Sequence, residues 1–172
     1  MELIKDIHED EFGDMEGQVY FKFFNKYIDI NFEKDVSMDY VVQNVKYLNS
    51  ISADVILKLC EYSFIYCKDF TKAYPDIQYN EGLVEILKPL EVLKYMEICS
   101  LKVDMPQDDT TCVLNLSGGC DWEDEEGMQW LIRDDEVIYV GSWDDLDPWM
   151  ENLDKGWCNY VTGWRLNSYD FL

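Results

Sequence analysis

Hydrophobic positions along this chain repeat with two periods. Over residues 18–32 the period is two. Val19, Phe21 and Phe23 alternate with Tyr20, Lys22 and Phe24, and after a turn at Asn25-Lys26 the positions Tyr27, Ile28, Ile30 and Phe32 continue it, with Asp29 and Asn31 facing out. That pattern predicts a hairpin with one buried face. From residue 37 the period becomes helical. Ser37 is placed to cap a helix carrying Met38, Val41, Val42, Val45 and Leu48. Ser52 caps a second, in which Val55, Ile56, Leu59, Cys60, Ser63, Tyr66, Cys67 and Phe70 form one stripe that ends before Pro75. Leu83, Val84, Ile86, Leu87 and Leu90 predict a short helix interrupted by Pro89.

The last third returns to short strands. Residues 98–104 and 110–116 read as strands, and Gly118-Gly119 as a turn or bulge. An acidic loop follows over residues 121–126. A hairpin then pairs residues 128–132 with 136–140 across Arg133-Asp134-Asp135, closed by Gly141. Residues 144–152 predict a short helix with Asp144 or Asp145 at its cap, Trp149 and Met150 packing inward, and Gly156 beyond its end. Residues 1–16 read as a short strand or irregular lead-in, and 157–172, with Trp157 and Trp164, as a last strand or a clasp over the core. The fold class expected is α+β: a mostly antiparallel sheet of about five or six strands, with two or three helices inserted after the first hairpin and packed on one face. At 172 residues, 1–172 is expected to form a single domain.

Charge changes the picture most. The chain carries 36 acidic and 14 basic residues, a net charge of −22. Residues 1–107 contribute −9 and residues 108–172 contribute −13. The acid is therefore densest in the part that also holds all six tryptophans. A field of this sign argues against nucleic acid and against an anionic membrane as partners, and favours a basic protein. The start, MELIKDIHEDEF, lacks the basic end and apolar core of a secretory signal, and no apolar run is long enough to span a bilayer. Cys60, Cys67, Cys99, Cys112, Cys120 and Cys158 form no CxxC pair and read as buried free thiols of a reducing compartment, so the expected location is cytoplasmic.

Candidate chemistry adds little. The only histidine, His8, sits among Asp6, Glu9, Asp10 and Glu11, which favour its charged form and make it a poor general base for a cysteine nucleophile. No phosphate-binding glycine motif and no paired zinc knuckle occur, and no cofactor is implied. A catalytic residue is not assigned, and the chain reads as a non-enzyme, with a carboxylate-dependent enzyme of unfamiliar type as an alternative. The acidic loop raises a divalent-cation alternative through Asp121, Glu123, Asp124 and Glu126. Its spacing does not fit the calcium-loop pattern, and neighbours in an extended chain point to opposite sides. The favoured site is instead a partner-binding face of Trp122, Glu123, Asp124, Trp143, Asp144 and Asp145, in which aromatic rings anchor and carboxylates steer. Met128, Trp130 and Ile132 alternate on a strand and are expected to share its buried face.

The stretch CDWEDEEGMQWLIRDDEVIYVG resembles a bacterial domain family of unknown function. In that family a strand ends in a Cys-x-Trp-[Asp/Glu] turn, followed by a Glu-His-Gly step, a hairpin and a closing Val-Gly. Cys120, Trp122, Glu123, Glu126, Gly127, Val140 and Gly141 match, while the histidine before the glycine is absent, since Glu126 directly precedes Gly127. The resemblance implies a β-rich front, a central helical stretch and this C-terminal signature. Some relatives are linked to polymorphic-toxin immunity, so an immunity or antitoxin-like inhibitor of a basic toxin domain is the role it permits. Oligomeric state is left open.

Overall fold

The period-two segments form the strands that the alternation predicts. The computed structural model describes residues 2–153 and 158–163. Strand β1 spans Ile4–Glu9, β2 Met15–Phe21 and β3 Lys26–Phe32. β2 and β3 pair antiparallel with Val19 opposite Ile28 and Met15 opposite Phe32. Val19, Phe21, Ile28, Ile30 and Phe32 are buried and Asp29 and Asn31 exposed. Asn25, at φ +52°, makes the left-handed step of the turn, and Tyr20 Oη donates to its side-chain oxygen.

The helices start where the serines are. Ser37 Oγ accepts the Tyr40 N–H at the head of α1, Met38–Leu48, and Ser52 Oγ accepts the Val55 N–H at the head of α2, Ala53–Ala73. A short α3, Glu81–Glu85, stops before Pro89, which opens a 3-10 helix over Pro89–Lys94. All four lie in the connection between β3 and β4, Met96–Val103. These two strands pair parallel, with Ile30 opposite Leu101, and a parallel pair requires a crossover of this kind. The chain then runs as a meander through β5 (Val113–Cys120), β6 (Glu123–Arg133) and β7 (Glu136–Ser142). The seven strands lie in sequence order, and every neighbouring pair except β3–β4 is antiparallel.

The main core lies between the helices and one sheet face. α1 contributes Tyr40, Val41, Val45 and Leu48, and α2 contributes Val55, Leu59, Cys60, Tyr66 and Cys67, against Ile98, Leu101, Leu116, Met128, Trp130 and Ile132. Two polar pairs tie the layers without leaving a buried group unmet. Trp130 Nε1 donates to Ser63 Oγ of α2 at 2.9 Å, and Asn44 Oδ1 of α1 accepts the Val113 N–H at 2.8 Å.

The sheet differs from the expectation in two ways: it has a seventh strand, and two of its strands are longer. The acidic lead-in does form β1, whose apolar content is thin because it is an edge strand. The acidic run is also not a loop: β5 extends to Cys120 and β6 begins at Glu123, leaving only Asp121 and Trp122 between them. The strand expected from residue 110 starts at Val113, because Asp108 accepts from the backbone N–H and the hydroxyl of both Thr110 and Thr111 and holds them in a turn. Cys99 is exposed rather than buried because it alternates with the buried Met96 and Ile98 on β4 and so points to the other side, and Cys112 and Cys158 are only half-buried. The helix expected over residues 144–152 does not form. Asp145 adopts φ +47°, and the backbone of Leu146 is bonded to side chains of β5 and β6 instead of to a helical turn. Trp149 is nonetheless buried and Met150 packs inward, as expected. Trp157, Trp164 and most of the expected C-terminal clasp lie outside the described residues; within 158–163, the Tyr160 N–H reaches the Val140 carbonyl of β7.

Candidate functional site

The β5–β6 turn divides the predicted site residues between core and surface. Trp122 is 1 % exposed and meets Tyr66 of α2 edge-on, with ring centroids 5.7 Å apart. Glu123 is also buried. Its Oε1 accepts the N–H groups of Glu125 and Glu126, at 3.0 and 2.9 Å. Trp122 therefore belongs to the core, and Glu123 commits one carboxylate oxygen to the turn; both correct the expectation that the turn presents the two side chains openly on its surface. The Trp122 ring is drawn in by its contact with Tyr66, and the Glu125 and Glu126 N–H groups hold the Glu123 carboxylate. Asp121, Asp124, Glu125 and Glu126 remain exposed. With Glu123 buried and its neighbours exposed, the four carboxylates considered for a cation, Asp121, Glu123, Asp124 and Glu126, do not form a metal-holding cluster. Among the described residues no group of three or more His, Cys, Asp or Glu is arranged to hold a metal ion.

Polar atoms buried without a partner concentrate near this turn. Tyr66 Oη, Trp122 Nε1 and Glu123 Oε2 are three of the four such atoms among the described residues. Burial, reinforced by the nearby Cys120 and Glu123, raises the Tyr66 phenol well above its ordinary value, and burial pushes the Cys120 thiol up to about 12. Neither is a poised nucleophile or base at neutral pH.

Beside the turn lies a cleft of about 600 Å³. Its lining combines the apolar Phe24, Leu93 and Met96 with the acidic Glu97, Asp121, Glu123 and Asp124. Lys26 also lines it but is ion-paired with Glu97 at 2.5 Å, and Lys94 lines it as well.

The second part of the site is the segment after β7. Trp143 is 42 % exposed, and its N–H reaches the Gly127 carbonyl. Asp144 and Asp145 are exposed. A buried polar network on the sheet face opposite the helices holds this segment. Gln129 Nε2 donates to the Leu146 carbonyl and to Asn115 Oδ1, while Gln129 Oε1 accepts the Leu146 N–H. Asn115 Nδ2 donates to the same carbonyl and to Asp104 Oδ2. Lys102 closes the network, 2.9 Å from Asp145 and 3.5 Å from Asp104. Burial pushes the Asp104 carboxyl up to about 6, although the Asn115 hydrogen bond and the Lys102 charge pull the other way; the Asp147 charge adds to the rise. Burial works against the Lys102 charge, but its bond to Asp145 and the charges of Asp104 and Asp145 outweigh it and raise its pKa. A small apolar cluster of Leu131, Tyr139, Leu146 and Leu153 completes the anchorage.

Sequence reasoning placed Asp124, Trp143, Asp144 and Asp145 on the surface and missed Asp104, Asn115 and Gln129. A signal for the last two exists: each is a lone amide inside an otherwise apolar strand run, VLNLS and MQWLI. Residues 3–148, from β1 through β7, match the family model described as Domain of unknown function (DUF6985). The chain belongs to the DUF6985 family. No curated protein and no solved structure matches it. The match spans the whole sheet and its crossover helices, so the turn, the cleft and the Trp143 segment all belong to the DUF6985 domain. The family carries no assigned activity, and fold membership alone would not transfer one.

Proposed function

We propose that this DUF6985 protein is a non-catalytic protein-binding domain that engages a basic partner, acting as an immunity or antitoxin-like inhibitor that occludes it. The observation that carries this reading is Trp143. A large ring stands exposed beside Asp144 and Asp145 on a segment that a buried network fixes in place. A rigid aromatic anchor rimmed by charge is what an interface hot spot needs, because little conformational freedom is lost on docking. The net charge of −22 supports the sign of the partner and speeds encounter with it.

The test is affinity capture from the native host with wild-type protein and with Trp143→Ala and Asp144→Asn variants, at low and high salt. The reading expects a basic protein that wild type retains at low salt, releases at high salt and loses in the variants. If it is a toxin, co-expression with this chain relieves its toxicity, and the variants relieve it less. Capture that ignores both salt and Trp143 sinks the reading.

A further inference from the structure

The cleft at the β5–β6 turn has a composition that singles out one kind of occupant. Four carboxylates line it: Glu97, paired with Lys26, and Asp121, Glu123 and Asp124. Of the two lysines that also line it, Lys26 is already paired with Glu97, so Lys94 alone offsets the other three carboxylates. The local charge is therefore negative after internal pairing. Glu123 adds an observation independent of the charge count. It is 6 % exposed, it lines the cleft, and its Oε2 has no hydrogen-bond partner, while Oε1 is fully used by the Glu125 and Glu126 N–H groups. A carboxylate oxygen held dry and unmatched is costly, and a charged donor arriving from the cleft offsets that cost.

The apolar lining narrows the choice. Phe24, Leu93 and Met96 suit a hydrocarbon stem, and the Phe24 ring already lies 6.0 Å from one cation, Lys26 Nζ. An arginine matches both halves: its stem covers apolar surface, its planar head stacks on a ring, and its forked donors bind carboxylates two at a time. We infer that this cleft receives an arginine side chain of the basic partner, with the guanidinium held by Asp121, Glu123 and Asp124. The inference rests on the protein-binding reading above and adds a second anchor point to Trp143.

The test uses the full chain labelled with nitrogen-15 and a blocked Gly-Arg-Gly tripeptide, with the same peptide carrying citrulline, and inorganic phosphate, as comparisons. The arginine peptide shifts amide signals of Phe24, Tyr95 and residues 119–124 and saturates, whereas citrulline and phosphate leave them in place. Glu123→Gln weakens the arginine peptide about tenfold, the loss expected for one charged hydrogen bond. Asp124→Asn, at an exposed position that the fold does not depend on, weakens it too, so the result stands even if Glu123→Gln unfolds. Shifts centred on Trp143, equal response to citrulline, or no response overturn the assignment. These outcomes separate from those of the capture experiment: a partner retained through Trp143 with a silent cleft removes the arginine site alone, and a titrating cleft with no salt-sensitive capture removes the protein-binding reading alone.

Discussion

Gln129 and Leu146 bond to each other in both directions: the Gln129 amide donates to the Leu146 carbonyl at 2.9 Å and accepts the Leu146 N–H at 3.2 Å. One side chain on β6 thus does for the segment after β7 what a strand neighbour would do. Gln129→Leu leaves the Leu146 N–H and Asn115 Oδ1 buried without partners. The expected cost is about 2–4 kcal/mol in urea unfolding. The same variant exposes Trp143 further to a soluble quencher. A loss under about 0.5 kcal/mol would show that the segment is held by something else.

Asp104 gives the network a pH dependence of predictable sign. Its folded pKa near 6 lies above the ordinary 3.8, so the fold binds this proton more tightly than the unfolded chain does. The contribution is fully present below about pH 4 and is lost as pH rises through 6, at most about 3 kcal/mol. Asp104→Asn keeps the acceptor for Asn115 and removes the titration. It is expected to be more stable than wild type at pH 7.5 by about 1–2 kcal/mol, with the gain vanishing near pH 4. Parallel thermal melts at the two pH values check it; a variant less stable at both would mean that the Lys102 attraction dominates.

The two tryptophans proposed together from sequence separate in energy. Trp122→Ala empties a core site against Tyr66 and is expected to cost about 3–5 kcal/mol. Trp143→Ala is expected to change stability by no more than about 0.5 kcal/mol, because the ring is half exposed. Chemical denaturation of both variants distinguishes them, and similar losses would contradict the placement of one.

Gly118 is required for strand pairing rather than for a turn. A Cβ there would stand 1.8 Å from the Glu97 carbonyl oxygen of β4, which is backbone and has no rotamer to give way. Gly118→Ala is expected to cost about 3 kcal/mol or to prevent accumulation of folded protein, whereas Gly119→Ala, where a Cβ would meet nothing within 4 Å, folds normally. Circular dichroism and urea titration of the pair check this contrast.

Periodicity made much of this architecture legible. The β2–β3 hairpin, both serine-capped helices, the interruption at Pro89 and the buried side of Met128, Trp130 and Ile132 all follow from spacing, because each element buries one face. What spacing does not reveal is a residue whose direction depends on an element far away. Trp122 looked like surface because acids surround it, yet α2 supplies its covering layer through Tyr66. Residues 144–152 looked helical because Asn115 and Gln129, which capture their backbone, are 31 and 17 residues upstream of Leu146. Local pattern carries no information about such partners.

The lone parallel seam between β3 and β4 has a kinetic meaning. It divides the sheet into a three-stranded and a four-stranded meander, each built entirely from sequence neighbours. Either can zip up with short loops, at small entropic expense. Joining them closes the longest loop in the sheet, the helical crossover that carries α1 and α2, and this long-range pairing is the step expected to set the folding rate.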